Sequence, residues 1–285
     1  MCNITKAMLG KVILPGNSAT LPVNSTGRVV SLLLVERENW AVGGHFYTAD
    51  LYFHYSIKAV IDMTRTKLCD RQLPEYSKGE EIMNMVTHIA GGGLAVLALA
   101  ACVLRAAFRG DAWSVATAIV YGFTMVATYA MSSIYHGLKK CTGKKVMQVL
   151  DHCAIYFLIA GTYTPIVMCA LRPVYPVIGW GLFFWQWGLT ALAVILTAID
   201  LKKYRAFSMI CYIGMGWSVI LFLPQTMAVL GSVGFGFLLA GGIAYTVGAI
   251  LFGLGKRLPW MHSVFHIFVV LGSLLQWVTV QFFVL

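Results

Sequence analysis

Two histidines, His262 and His266, stand four residues apart in the stretch WMHSVFHIF, at the head of an apolar run that continues to the C-terminus. On a helix, residues i and i+4 share a face. Both imidazoles can therefore reach one metal ion, as the two histidines of an HExxH site do. This stretch lacks that glutamate, so a catalytic base has to come from elsewhere. His136 can supply a third nitrogen from another helix, and three histidines with an open fourth position are a known arrangement for catalytic zinc. Asp151 is the one carboxylate within the apolar runs and is suited to hydrogen-bond a water on such a metal. Ser132 lies one turn before His136 in MSSIYH and faces the same way, which suits support of the ligands or contact with a substrate carbonyl. Ser133, at i−3, is less well placed.

Composition says what must hold these residues. Of 285 residues, 59% are apolar and 11% charged, against about 25% charged in soluble domains. Seven apolar segments lie near 82–104, 113–136, 147–170, 177–199, 206–223, 227–254 and 260–284. Each is near the roughly 20 residues a helix needs to cross a bilayer. The runs are unbroken rather than alternating, so they exclude a barrel and leave helices as the way to satisfy the backbone in lipid. The expected fold is an all-α integral membrane bundle of seven spans with short, antiparallel connections.

The loops orient the bundle. Lys139, Lys140, Lys144, Lys145, Lys202, Lys203, Arg205, Lys256 and Arg257 fall on one side, and Arg105, Arg109 and Arg172 on the other. Basic loops stay in the cytoplasm, so the N-terminus is expected inside and the C-terminus outside. The net charge of +10 follows largely from this bias. Beside a membrane, such charge points to anionic lipid, and no nucleic-acid partner is expected. The seven cysteines form no CxxC pair and are odd in number, so no disulfide framework is expected.

Within the spans the ionisable residues are Asp151 and the histidines His88, His136, His152, His262 and His266. Each is costly in a membrane unless paired, and so is a functional candidate. With the expected orientation, all fall at the cytoplasmic end. His88 reads as a structural or supporting residue. His152 points about 100° away from its neighbour Asp151 on a helix and reads as packing.

The stretches EEIMNMVTHIAGG, SSIYH, QVLDHCAIYFLIAGTYTP and HSVFH together make residues 80–285 resemble the progestin and adipoQ receptor family, in particular its bacterial hemolysin III branch. The resemblance implies seven helices with a cytoplasmic N-terminus, in a bacterial inner membrane. It also implies zinc held by the histidines matched by His136, His262 and His266. The aspartate matched by Asp151 would reach the zinc through water, and the serine matched by Ser132 would sit beside the site. In the related adiponectin receptors and alkaline ceramidases such a site is associated with hydrolysis of a lipid amide.

Two classes of function follow. One is a zinc-dependent hydrolase of a lipid amide or ester, with Asp151 as general base. The other is non-enzymatic, a membrane-homeostasis, signalling or pore-forming (cytolytic) protein with structural zinc. The partner expected in either case is membrane lipid. Residues 1–78 differ in composition from the membrane domain at 79–285 and carry no spanning run. They read as an N-terminal extension, disordered or capping, or as untranslated if the start is an internal methionine such as Met63. Pro165 is expected to kink its helix or free a carbonyl, and the glycines of HIAGGG and GGIAYTVGAILFG to let helices approach closely.

Overall fold

The computed structural model describes residues 65–109, 111–255 and 257–285. Most of the extension expected over 1–78 lies outside the described residues. Thr66–Leu285 forms one compact unit, built of helices with no strand among the described residues. The helices are α1 (Lys78–Arg109), α2 (Ala112–Gly137), α3 (Thr142–Pro165), α4 (Pro176–Ile199), α5 (Arg205–Trp217), α6 (Leu223–Leu254) and α7 (Met261–Thr279).

Among the described residues, six stretches are long and apolar enough to cross a membrane: Lys78–Arg109, Ala112–Gly137, Thr142–Val174, Pro176–Ile199, Arg205–Leu254 and Met261–Val284. Large apolar side chains such as Leu97, Phe108, Phe123, Ile195, Ile210 and Leu221 stand exposed on them, as a coat facing lipid requires. The protein is a multi-pass integral membrane protein. The difference from the seven expected segments arises at Arg205–Leu254, where α5 runs into α6 through a 3-10 stretch, Ser218–Phe222. A further break comes at Gly231, whose φ of 67° needs a glycine.

The sequence explains the other irregularities. The ring of Pro165 clashes with the preceding turn and its nitrogen donates nothing. The helix widens directly after it into a π-turn, Ile166–Leu171. α1 opens with a reciprocal cap: the Ser77 N–H donates to Glu80 Oε2 at 2.9 Å, and the Glu80 N–H to Ser77 Oγ at 3.2 Å. α2 opens on Asp111, whose carboxylate accepts from the N–H groups of Trp113 and Ser114.

Residues 66–77, the described end of the extension, lie across one end of the bundle as a strap. The Thr66 N–H donates to Asp200 Oδ2 at 2.8 Å, Arg71 Nη2 to the Ile199 carbonyl at 2.9 Å, and Lys145 Nζ to the Cys69 carbonyl. Burial alone would raise the Asp200 carboxyl. The backbone N–H groups of Thr66, Lys203 and Lys202 outweigh it and hold the carboxyl down at about 2.

A candidate metal centre

The strap lies at the end of the bundle where the polar residues gather. His136 is in the last turn of α2, and His262 and His266 are in the first turns of α7, all three buried. One ring nitrogen from each lies within 4.8 Å of the other two. His262 Nε2 and His266 Nε2 are 3.1 Å apart. Two nitrogens bound tetrahedrally at about 2.0–2.1 Å would be roughly 3.3 Å apart. His136 Nε2 is buried with no hydrogen-bond partner among the described residues. Convergent nitrogens, one of them otherwise unsatisfied, fit a metal ion.

The free nitrogen of His136 has a cause on α1. Glu81 Oε2 sits 2.7 Å from His136 Nδ1. A carboxylate can only accept, so Nδ1 carries the proton and Nε2 keeps its lone pair for a metal. The other Glu81 oxygen accepts from Lys144 Nζ at 2.6 Å, and the same lysine donates to the Leu138 carbonyl at 3.0 Å. The neighbouring Glu80 accepts from the Trp260 N–H at 2.7 Å. Trp260 has φ 66° and is the cap of α7. Adjacent carboxylates of α1 thus set both ligand-bearing elements, Glu81 by orienting the ring of His136 and Glu80 by fixing the start of α7.

These two glutamates were not among the residues singled out from the sequence. They sit at a helix start, where acidic residues are common for helix-dipole reasons alone. The available signal was spacing: Glu80, Asn84 and His88 recur every four residues and are the buried polar residues of α1. The ring of His88 lies against His266, with centroids 3.8 Å apart, and edge-on to Tyr129 at 5.1 Å. It packs behind a candidate ligand, and neither of its nitrogens has a partner among the described residues.

Asp151 and Ser132 line the same cavity as His262 and His266. The Ser132 side chain interacts with the Asp151 carboxyl, while His152 Nδ1 lies 4.0 Å from Asp151 Oδ2. Asp151 is outside the three-histidine group itself. His152 does not point away as expected: its Nδ1 is 2.8 Å from the Gln148 carbonyl and the residue lines the same cavity beside Asp151. Ser133 donates to the Tyr129 carbonyl at 2.7 Å and is occupied within its own helix.

The cavity measures about 740 Å³ and is lined mainly by apolar groups. It runs from the strap past Asp151 and the histidines to Phe235, Leu238 and Gln276. At its strap end the Tyr76 ring stacks on His262, with centroids 4.8 Å apart. Burial, and then the carboxylates of Glu81, Asp151 and Glu80, push the Tyr76 phenol further up, so it stays neutral. The strap belongs to the stretch that reads from sequence as an extension, disordered or capping, and its individual contacts are not legible there.

Fold and site together define a multi-pass helical membrane protein with a buried three-histidine group able to hold a metal ion, opening on a large cavity. Residues 76–277 match the family described as Haemolysin-III related. The chain is 39% identical over 206 residues to "Hemolysin-3" of Bacillus cereus, covering 72% of this chain and 92% of that protein. It is 34% identical over 204 residues to "Hemolysin-3 homolog" of Bacillus subtilis (strain 168), covering 72% and 94%. To the human "Monocyte to macrophage differentiation factor" it is 27% identical over 198 residues, covering 67% and 78%. The chain belongs to the haemolysin III family, within the wider progestin and adipoQ receptor group.

Proposed function

We propose that the protein is a zinc-dependent hydrolase of a lipid amide or ester, working at the cytoplasmic face of a bacterial plasma membrane. The observation that carries this reading is that Asp151, Ser132, His262 and His266 line one large, mainly apolar cavity. The path Arg205–Leu254 has 50 residues, about 75 Å of helix against a hydrocarbon core of about 30 Å. That length favours two crossings, reversing between Ser218 and Gly231, and hence seven spans in all. The bias of basic loops favours an inside N-terminus.

The metal would be held by His136, His262 and His266, and an all-histidine set suits zinc over harder ions. Bound there, zinc would polarise the scissile carbonyl. Asp151 takes the proton of the attacking water and returns it to the leaving amine or alcohol. Ser132 orients the Asp151 carboxylate. Glu81 holds His136 in one tautomer and one ring orientation. The apolar walls seat the acyl chain, so the lipid enters with its polar linkage at the histidines.

The test is release of free fatty acid from N-acyl amides and glycerol esters by purified protein, with Asp151→Asn as the variant. Asparagine keeps the shape but cannot take a proton. Hydrolysis is expected to fall by roughly 10²–10⁴-fold while metal content stays. The name Hemolysin-3, carried by the Bacillus relatives, favours a second reading, a lytic protein with structural metal. Asp151→Asn that keeps its metal and full function in cells would decide for that alternative.

A further inference from the structure

The inner end of the cavity carries a second polar cluster, reached from His266 through His88, whose ring is edge-on to Tyr129 of that cluster. Gln276 lines the cavity and is only 6% exposed. Its amide nitrogen donates to the Leu238 carbonyl at 3.0 Å, which fixes which end is which. Gln276 Oε1 is then a buried acceptor with no partner among the described residues. Beside it, the Tyr129 hydroxyl donates to Ser273 Oγ at 2.7 Å, and Ser273 Oγ lies 2.8 Å from the Tyr245 hydroxyl. Either hydroxyl can be the donor between Ser273 and Tyr245, and the arrangement taken here is the one in which Ser273 donates to Tyr245. The phenol proton of Tyr245, another cavity-lining residue, is left to donate.

The backbone is cut to seat these two side chains. A Cβ on Gly241 would lie 2.7 Å from Gln276 Nε2, and one on Gly272 would lie 2.8 Å from Tyr245 Cε1. Gly241 and Tyr245 are i and i+4 on α6, and Gly272 and Gln276 are i and i+4 on α7. Each helix therefore offers a glycine to the other's polar residue. Leucine at 276 would fill space in lipid-like surroundings without leaving an acceptor unmade.

We propose that this is a ligand subsite for a hydroxyl carried on an apolar chain: Gln276 Oε1 accepts the ligand's proton and Tyr245 donates to its oxygen. Gln276 is ten residues from His266 on α7, about 15 Å along the axis. The ligand is an acyl chain hydroxylated about two thirds of the way along an eighteen-carbon length, with its head at the histidines. The inference rests on the reading of the cavity as a lipid site.

The experiment is equilibrium binding of two radiolabelled probes to purified full-length protein: stearic acid, and hydroxystearic acid with its hydroxyl about two thirds of the way along the chain. The hydroxylated probe is expected to bind roughly tenfold more tightly, the factor that a pair of net hydrogen bonds gives. Gln276→Leu and Tyr245→Phe should each abolish that preference while still binding stearic acid, and far-ultraviolet circular dichroism shows that the variants are folded. Equal binding of both probes by the wild type means the pocket holds water only, and overturns the subsite alone. So does a preference that survives both substitutions. Failure to bind either probe contradicts the lipid-site reading, and the subsite with it.

Discussion

Glu81→Ala is expected to weaken metal binding although Glu81 touches no metal. The carboxylate lies 2.7 Å from His136 Nδ1 and 2.6 Å from Lys144 Nζ. Without it His136 is free to rotate and to place its proton on Nε2, where no metal can bind. Loss of a carboxylate behind a histidine ligand typically costs about 10–100-fold in affinity, or about 1.4–2.7 kcal/mol. The same change strands Lys144, which is 3% exposed, with the Leu138 carbonyl as its remaining acceptor at 3.0 Å. Some folding stability is lost as well, because a buried cation without its counter-charge is costly. Glu81→Gln separates the effects. Its amide oxygen still accepts from Nδ1–H, so zinc affinity should fall less than in the alanine variant, while the lysine loses its charge partner as fully. Lys144→Met leaves the carboxylate in place and should change affinity least. Competition between the apo-protein and a fluorescent zinc chelator gives the affinities, and far-ultraviolet circular dichroism confirms the helices. Wild-type zinc affinity in a folded Glu81→Ala protein would refute the orienting role.

Asp200 should govern the strap. Its carboxyl is held down at about 2, so its contribution is fully present above the ordinary carboxylate value of about 3.9 and is lost as pH falls through about 2. Hydrogen exchange of residues 66–77, corrected for intrinsic rates, should stay protected from neutral pH down to about 4, while Asp200→Asn exchanges faster already at neutral pH. Opening of the wild-type strap between neutral and mildly acidic pH, or equal protection in the variant, would contradict this. The orientation is tested by a reporter fused after Leu285, expected to be active only outside the cytoplasm. Cytoplasmic activity there would turn the bundle over and put the histidines at the other face.

The residues legible in the sequence were those that stand out from an apolar background. His136, Asp151, His262 and His266 were visible because an ionisable group inside a span is costly unless paired and so stands out as a functional candidate. Helix positions were legible for the same reason, since long apolar runs leave little choice of structure. What escaped lies at the edges of that contrast. Glu80 and Glu81 sit just outside the apolar run of α1, where a carboxylate is unremarkable until its partners on α2, α3 and α7 are known. The strap residues 66–77 have no periodicity of their own, and their hold on Asp200, Ile199 and His262 is entirely long-range. Gln276 is polar and within a span, but a search for titratable groups passes over a neutral amide. Pro165 announced an irregularity, and packing decided that it would be a π-turn.

The most direct measurement is the metal content of the purified protein, determined by inductively coupled plasma mass spectrometry across the histidine variants. One zinc per chain is expected in the wild type. His136→Ala, His262→Ala and His266→Ala should each lose it or bind it far more weakly on titration, while His88→Ala and His152→Ala should keep it. A wild type that takes up no metal when zinc is supplied, or a stoichiometric zinc that survives loss of any of the three histidines, would contradict the centre described here.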